Sequence, residues 1–268
     1  MRFIDLFKKP NLIAAHRGDR SHFPENTLAA LRGAIGKCDF VEMDLWLTKD
    51  RVPVILHDET LGRTSDIATF EAFRDRAPWR VEDFTLEELR RLDVGSWFYE
   101  KDPFGLIHEG KVVPPPKEER IQKIPTLEEV LRFSKRHGIF LDLEIKDMHR
   151  YISDKEALEA VFSVIEKTKT ASILLLSSFR GDYLPLCKGL DPDIPTALLQ
   201  RRHIRDLPQL LKRLRADGWH PSRKIVDPAA VRIFRNAGYF VDVFVVNDPE
   251  ERKKFFGWGV NGIFTDLL

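Results

Sequence analysis

Phe40-Val41-Glu42-Met43-Asp44-Leu45-Trp46-Leu47-Thr48-Lys49-Asp50-Arg51-Val52-Pro53-Val54-Ile55-Leu56-His57-Asp58 is the stretch on which the fold turns. In an extended chain Glu42 and Asp44 leave one face, while Val41, Met43 and Leu45 leave the other toward an apolar layer. Thr48 to Arg51 reads as a turn, and a second apolar run, Val52–Leu56, ends in His57-Asp58. The link between the two strands is too short for a helix. Two carboxylates on one strand and a histidine ending the next make a candidate hard-metal and acid/base site.

Upstream, Asn11–Ala15 is a short apolar strand ending at His16-Arg17-Gly18. Pro24-Glu25-Asn26-Thr27 then opens a helix through Leu28, Leu31 and Ala34, which Gly36 ends. Downstream, residues 59–122 lose any clean period, and Gly95 to Pro116 is rich in glycine, proline and aromatics. A stretch of that length reads as an insertion or lid. Alternation resumes at Ile124. Strands are expected at Ile139–Lys146, Ser172–Ser177, Pro195–Leu199, Lys224–Val226, Tyr239–Val246 and Val260–Phe264, with helices between them. Repeated strand–helix units of this spacing imply a parallel sheet, and eight or nine strands fit a closed barrel.

The 268 residues suffice for one large barrel domain. Net charge is +1 with both signs interspersed, which offers no nucleic-acid footprint. Cys38 and Cys187 lack Cys-x-x-Cys partners and read as free thiols in a reducing compartment. Asp5 interrupts the hydrophobic part of the N-terminus, a poor signal peptide, and no run is apolar for the length of a membrane span. A cytoplasmic protein is expected.

In a parallel barrel the chemistry sits at the carboxyl ends of the strands. There the sequence is polar where a core would want it apolar. His16 and Arg17 follow the first strand, Glu42 and Asp44 lie on the second, and His57-Asp58 follow the third. In Leu141-Asp142-Leu143-Glu144-Ile145-Lys146 the leucines and isoleucine face the helices, and three ionisable side chains point into the barrel. Such a row is costly unless paired or bound to an ion. Oxygen ligands from Glu42, Asp44 and Glu144 favour one hard divalent cation, Mg²⁺ or Ca²⁺, over zinc. Arg17 and Lys146 suit a phosphate-like substrate, and His16 and His57 suit general acid/base work. The set describes metal-assisted phosphodiester cleavage.

At these residues the chain resembles the glycerophosphodiester phosphodiesterase family. The matching motifs are His16-Arg17-Gly18 with Pro24-Glu25-Asn26-Thr27, Glu42-Met43-Asp44, His57-Asp58 with Thr60, Leu61, Arg63 and Thr64, and Glu144-Ile145-Lys146. Ser177-Ser178-Phe179, Val246-Asn247-Asp248-Pro249 and Gly259 to Asp266 match further on. The resemblance implies an irregular (β/α)8 TIM barrel of the phospholipase-C-like phosphodiesterase type. It would be one domain over residues 1–268, with a small insertion subdomain at about 59–122 after the third strand. It also implies that Glu42, Asp44 and Glu144 hold the ion, that His16 and His57 are the acid/base pair, and that Arg17 and Lys146 contact the phosphate. The implied chemistry uses the substrate's own glycerol hydroxyl as nucleophile, through a cyclic phosphate, to give glycerol 3-phosphate and an alcohol. Phe244 stands where the family usually has Trp, and Val245 replaces a Thr, so the pocket wall is expected to differ.

Plainer readings stand beside several residues. Lys146 can be a salt-bridge partner of Asp142, and Asp142 a structural group. Glu25 can cap the helix or orient Arg17, and Asp58 can end its strand or orient a neighbour. His22, His108, His137, His149, His203 and His220 read as surface or loop residues, and Arg201-Arg202-His203 as a solvated face. Trp97, Phe98, Tyr99 and Phe104 read as packing within the insertion; Phe244 and Trp46 are candidates for the mouth. The expected function is hydrolysis of a small-molecule glycerophosphodiester, without nucleic acid or stable membrane insertion. The rivals are a lysophospholipase D-type hydrolase, which needs an apolar rim on the insertion, and a non-catalytic phosphodiester-binding relative, which would lack one of the key residues.

Overall fold

The alternating run around Glu42 does form a strand, and all of its residues are buried, because a barrel strand is covered by helices outside and by facing side chains inside. The computed structural model describes residues 1–268. Its strands are β1 (Leu12–His16), β2 (Phe40–Leu47), β3 (Pro53–Ile55), β4 (Leu141–Ile145), β5 (Leu174–Ser178), β6 (Thr196–Gln200), β7 (Gly218–Pro221), β8 (Phe240–Val243) and β9 (Gly262–Thr265). Hydrogen bonding runs in the order β1-β9-β8-β7-β6-β5-β4-β2, and a β1–β2 pairing closes the ring. All pairings within the ring are parallel, so this is an eight-stranded (β/α) barrel.

The ninth strand lies outside the ring. β3 pairs antiparallel with β2, Leu45 opposite Ile55, because the Thr48–Arg51 turn permits only a hairpin. The expectation that His57 sits at the end of a parallel barrel strand is therefore corrected. β3 runs back along β2 until the Leu56 N–H reaches the Asp44 carbonyl at 3.0 Å, and that return brings His57 to the level of the acids.

The helices start and stop where their caps dictate. Thr126 and Glu129 form a capping box for Leu127–His137, and Gly138 ends it at φ 67°. Ser153 and Glu156 do the same for Asp154–Thr168. Asp227 and Asp248 cap Pro228–Asn236 and Pro249–Gly257, each with proline in the first turn. Val41, Met43, Leu141, Leu143 and Ile145 pack against Leu127, Val130, Leu158 and Val161. Leu61, Ile67, Phe73, Val81, Phe84 and Leu89, from a segment built of short helical turns, belong to the same apolar cluster. At the amino-terminal end of the barrel, Phe3 meets Phe40 edge-on at 5.2 Å and Phe7 stacks on Phe240 at 4.0 Å, so the N-terminal segment plugs that end. Both cysteines are free. No helix is long and apolar enough to cross a membrane.

Two further expectations are corrected. The strand expected at Lys224–Val226 is Gly218–Pro221 instead. Glycine and proline at its ends made it read as loop, yet a Cβ on Gly218 would fall 1.9 Å from the Phe240 ring, so close packing requires the glycine. His220, on that strand, is fully buried inside the barrel rather than at the surface.

Candidate active site

Strand register assembles the site. His16 lies opposite Glu42 across β1 and β2, and Asp44 opposite Glu144 across β2 and β4. Side chains two apart share a face, so Glu42, Asp44 and Glu144 converge inside the barrel at its carboxyl end. One oxygen from each lies within 4.8 Å of the others, and all three residues are buried.

Local structure fixes each acid. Arg17 turns into the left-handed region at φ 59°, which aims its N–H at Glu42 Oε2, 2.9 Å away. Asn26, at φ 58°, holds Asp44 twice: its amide donates to Oδ2 at 2.7 Å, and its Oδ1 accepts the Asp44 N–H at 3.1 Å. Lys146 Nζ lies 2.6 Å from Asp44 Oδ1 and 2.5 Å from Glu144 Oε1. Lys146 therefore pairs with two of the three acids of the cluster, Asp44 and Glu144, and not with Asp142.

Burial works to raise the Asp44 carboxyl, but Lys146 and Arg17 hold it far below the ordinary carboxylate range. Glu42 goes the other way. Burial, then the charges of Asp44 and Glu144, push its carboxyl well above the usual value. Its Oε1 is buried without a hydrogen-bond partner. An orphaned carboxylate oxygen facing two further carboxylates is a cradle that calls for positive charge. The donor set fits a hard divalent cation.

Both histidines are held in the same way. His16 Nδ1 is 2.7 Å from Asp266 Oδ1, and His57 Nδ1 is 2.5 Å from Asp58 Oδ1. Asp58 thus orients its neighbour rather than merely ending the strand. His16 Nε2 lies 3.9 Å from Glu42 Oε2, and both imidazoles line the pocket above the acids. Burial lowers His16 to about 4; the Asp266 bond opposes that shift, and Arg17 adds to it. The Trp46 indole N–H donates to the His57 carbonyl at 3.1 Å, so Trp46 braces the histidine from behind and does not line the mouth.

Glu25 caps nothing, since Thr27 caps the helix. It accepts from Arg17 at 2.9 Å, Arg20 at 2.5 Å and Arg63 at 2.6 Å. Burial raises this carboxyl, and Arg17, Arg20 and Arg63 more than offset it, leaving it at about 2. Arg20 also donates to Asp266 at 2.9 Å, and the Asn247 amide donates to the same carboxylate at 2.8 Å. Below the acids, Asp142 accepts from Ser177 at 2.7 Å and faces His220, whose Nε2 is 3.1 Å from Asp242. Phe179, Leu199, Phe244, Phe264 and Arg201 complete the pocket wall, so Phe244 is at the mouth as the sequence allowed and Arg201 is not merely part of a solvated face. Sequence reasoning missed Asn26, Asp266, Asn247, Arg20, His220 and Arg201. The signal for the first three was their position inside the quoted motifs.

The Glycerophosphoryl diester phosphodiesterase family profile matches residues 16–268. A glycerophosphodiester phosphodiesterase of Bacillus altitudinis is 32% identical over 260 residues, covering 95% of this chain and 94% of that one. Its counterpart in Bacillus subtilis is 30% identical over 262 residues, covering 95% and 83%. Among solved structures, an Oleispira antarctica phosphodiesterase in complex with the product sn-glycerol-3-phosphate superposes with a TM-score of 0.81 at 28% identity, covering 97% of this chain and 95% of that one. Fold, site and sequence agree: the chain belongs to the glycerophosphoryl diester phosphodiesterase family.

Proposed function

We propose that this protein hydrolyses glycerophosphodiesters to glycerol 3-phosphate and an alcohol, with His16 and His57 as the acid/base pair. The observation that carries the reading is the matched anchoring of the two imidazoles, each held through Nδ1 by a carboxylate, over a floor of three buried acids. The Oleispira antarctica relative's complex with sn-glycerol-3-phosphate supports the product assignment.

Asp266 and Asp58 accept only, so each neutral imidazole keeps its proton on Nδ1 and turns the Nε2 lone pair to the pocket. One histidine takes the proton of the substrate's glycerol hydroxyl as its oxygen attacks phosphorus. The other, protonated, donates to the departing alcohol oxygen as the P–O bond breaks. The cyclic phosphate left behind is opened by water with the two roles exchanged. Arg17 and Lys146 are the cations nearest the acids and would hold the phosphoryl oxygens. Glu42, Asp44 and Glu144 would hold one divalent cation, Mg²⁺ or Ca²⁺, which when bound stabilises charge on those oxygens.

Release of glycerol 3-phosphate from a panel of diesters, with and without EDTA, tests the reading. Turnover that EDTA abolishes and Mg²⁺ or Ca²⁺ restores is the expected result; no release from any diester overturns it. A cytoplasmic location is part of the proposal, supported by two unpaired thiols that burial pushes up to about 12.

A further inference from the structure

The carboxyl ends of three adjacent strands, β5, β6 and β7, each carry an arginine close behind. Arg180, after β5, pairs with Asp154 at 2.8 Å. Arg223, after β7, pairs with Glu251 at 2.8 Å. Arg201, after β6 between them, is different: its guanidinium lies over the Phe179 ring at 4.4 Å and lines the pocket. No carboxylate of the chain pairs with it, and its side chain donates no hydrogen bond within the protein. A cation kept at a pocket mouth without an acidic partner is available to a ligand.

Phe179, Leu199 and Phe244 form the apolar wall beside it, with Phe179 and Phe244 edge-to-face at 5.9 Å. The acids of the pocket, Glu42, Asp142 and Glu144, are buried. An aromatic wall of this kind would normally welcome a quaternary ammonium group. Here Arg201 already covers the Phe179 face and adds a like charge.

We propose that Arg201 selects the leaving alcohol: the pocket favours glycerophosphodiesters whose alcohol carries a carboxylate or a second phosphate over those carrying a quaternary ammonium. The inference rests on the hydrolase reading and specifies its substrate class. The guanidinium pairs with the anionic group of the alcohol while Phe244 and Leu199 contact its carbon atoms.

The experiment compares kcat/KM for four diesters of glycerol phosphate: with choline, with glycerol, with glycolic acid (the carboxylate arm) and with glycerol phosphate (the phosphate arm). The wild-type enzyme is expected to favour at least one anionic alcohol over choline by about tenfold or more, a ratio that shrinks with added salt. Arg201→Gln should bring that ratio to within about threefold, and Arg201→Lys should keep most of it. Equal rates on choline and both anionic diesters in the wild type overturn the proposal. So does an unchanged ratio in Arg201→Gln, or an equal loss on all four diesters, which would mean that the guanidinium reads the shared phosphate. If the wild type cleaves none of the four, the hydrolase reading itself falls, and the selectivity with it.

Discussion

His16 Nδ1 lies 2.7 Å from Oδ1 of Asp266, a carboxylate 250 residues further along the chain. The contact joins the end of β1 to the residue after β9, neighbours in the closed ring. Burial works to raise the Asp266 carboxyl, but the His16 bond and Arg20 keep it below the ordinary range, so it stays an acceptor and fixes the imidazole tautomer. Asp266→Asn keeps the shape and can donate to Nδ1, which favours the wrong tautomer. kcat should fall by roughly 10²–10⁴-fold in protein that is still folded at the assay temperature, although loss of the Arg20 pair lowers its stability. His16→Ala and His57→Ala should each lose about as much or more. Near-normal turnover in His57→Ala would remove it from the acid/base pair.

The three converging carboxylates predict a cation affinity that can be measured without any reaction. Glu144→Gln deletes one anionic donor while keeping size, and should weaken Mg²⁺ or Ca²⁺ binding in calorimetry by about tenfold or more. Cation binding should raise the unfolding temperature of the wild type, since relieving three buried like charges stabilises the folded state. An equal rise in wild type and Glu144→Gln would mean that the ion sits elsewhere.

The acids were legible in the sequence because the signal is local. A strand alternates with period two, so an ionisable residue between apolar neighbours, as in Leu141 to Lys146, announces a polar interior. The barrel was legible from crossover lengths. The link at Thr48–Arg51 was legibly too short for a helix, yet that it forms an antiparallel hairpin outside the ring was not drawn from it. Partnerships across the ring were not. Nothing near Asp266 points to His16, and nothing near Glu25 points to three arginines. Gly218 to Pro221 carries breaker residues at both ends, so its strand state, and the burial of His220 with it, depends on the Phe240 ring that packs against Gly218.

Glu25 makes acid sensitivity specific. Its folded carboxyl lies at about 2, against an ordinary value of 4.5. A depressed carboxyl contributes stability that is complete above about pH 4.5 and is lost as pH falls toward 2. The size is up to about 3 kcal/mol. Glu25→Gln should therefore be clearly less stable than wild type in urea at pH 7, and the gap should narrow between pH 4.5 and 2. A gap that stays constant over that interval would show that the three arginines do not set the carboxyl's affinity for its proton.

His220 is sealed inside the barrel with Nε2 3.1 Å from Asp242 Oδ2 and Nδ1 3.5 Å from Asp142 Oδ2, and no part of it is exposed. Burial raises Asp142 to about 7, while His220 and Ser177 pull it down. Replacing His220 by Leu removes the only ring between two buried carboxyls and should cost about 3–5 kcal/mol in urea unfolding at pH 8. The sign of the pH dependence follows from burial. Without the imidazole that pulls it down, the Asp142 carboxyl rises further, and a raised carboxyl contributes stability at low pH that is lost as pH climbs through its folded value. The deficit of His220→Leu should therefore be smaller at pH 5 than at pH 8. Adding Asp142→Asn and Asp242→Asn to His220→Leu removes the unpaired charges and should recover much of the loss at pH 8. A His220→Leu protein as stable as wild type at pH 8 would mean that the imidazole compensates neither acid.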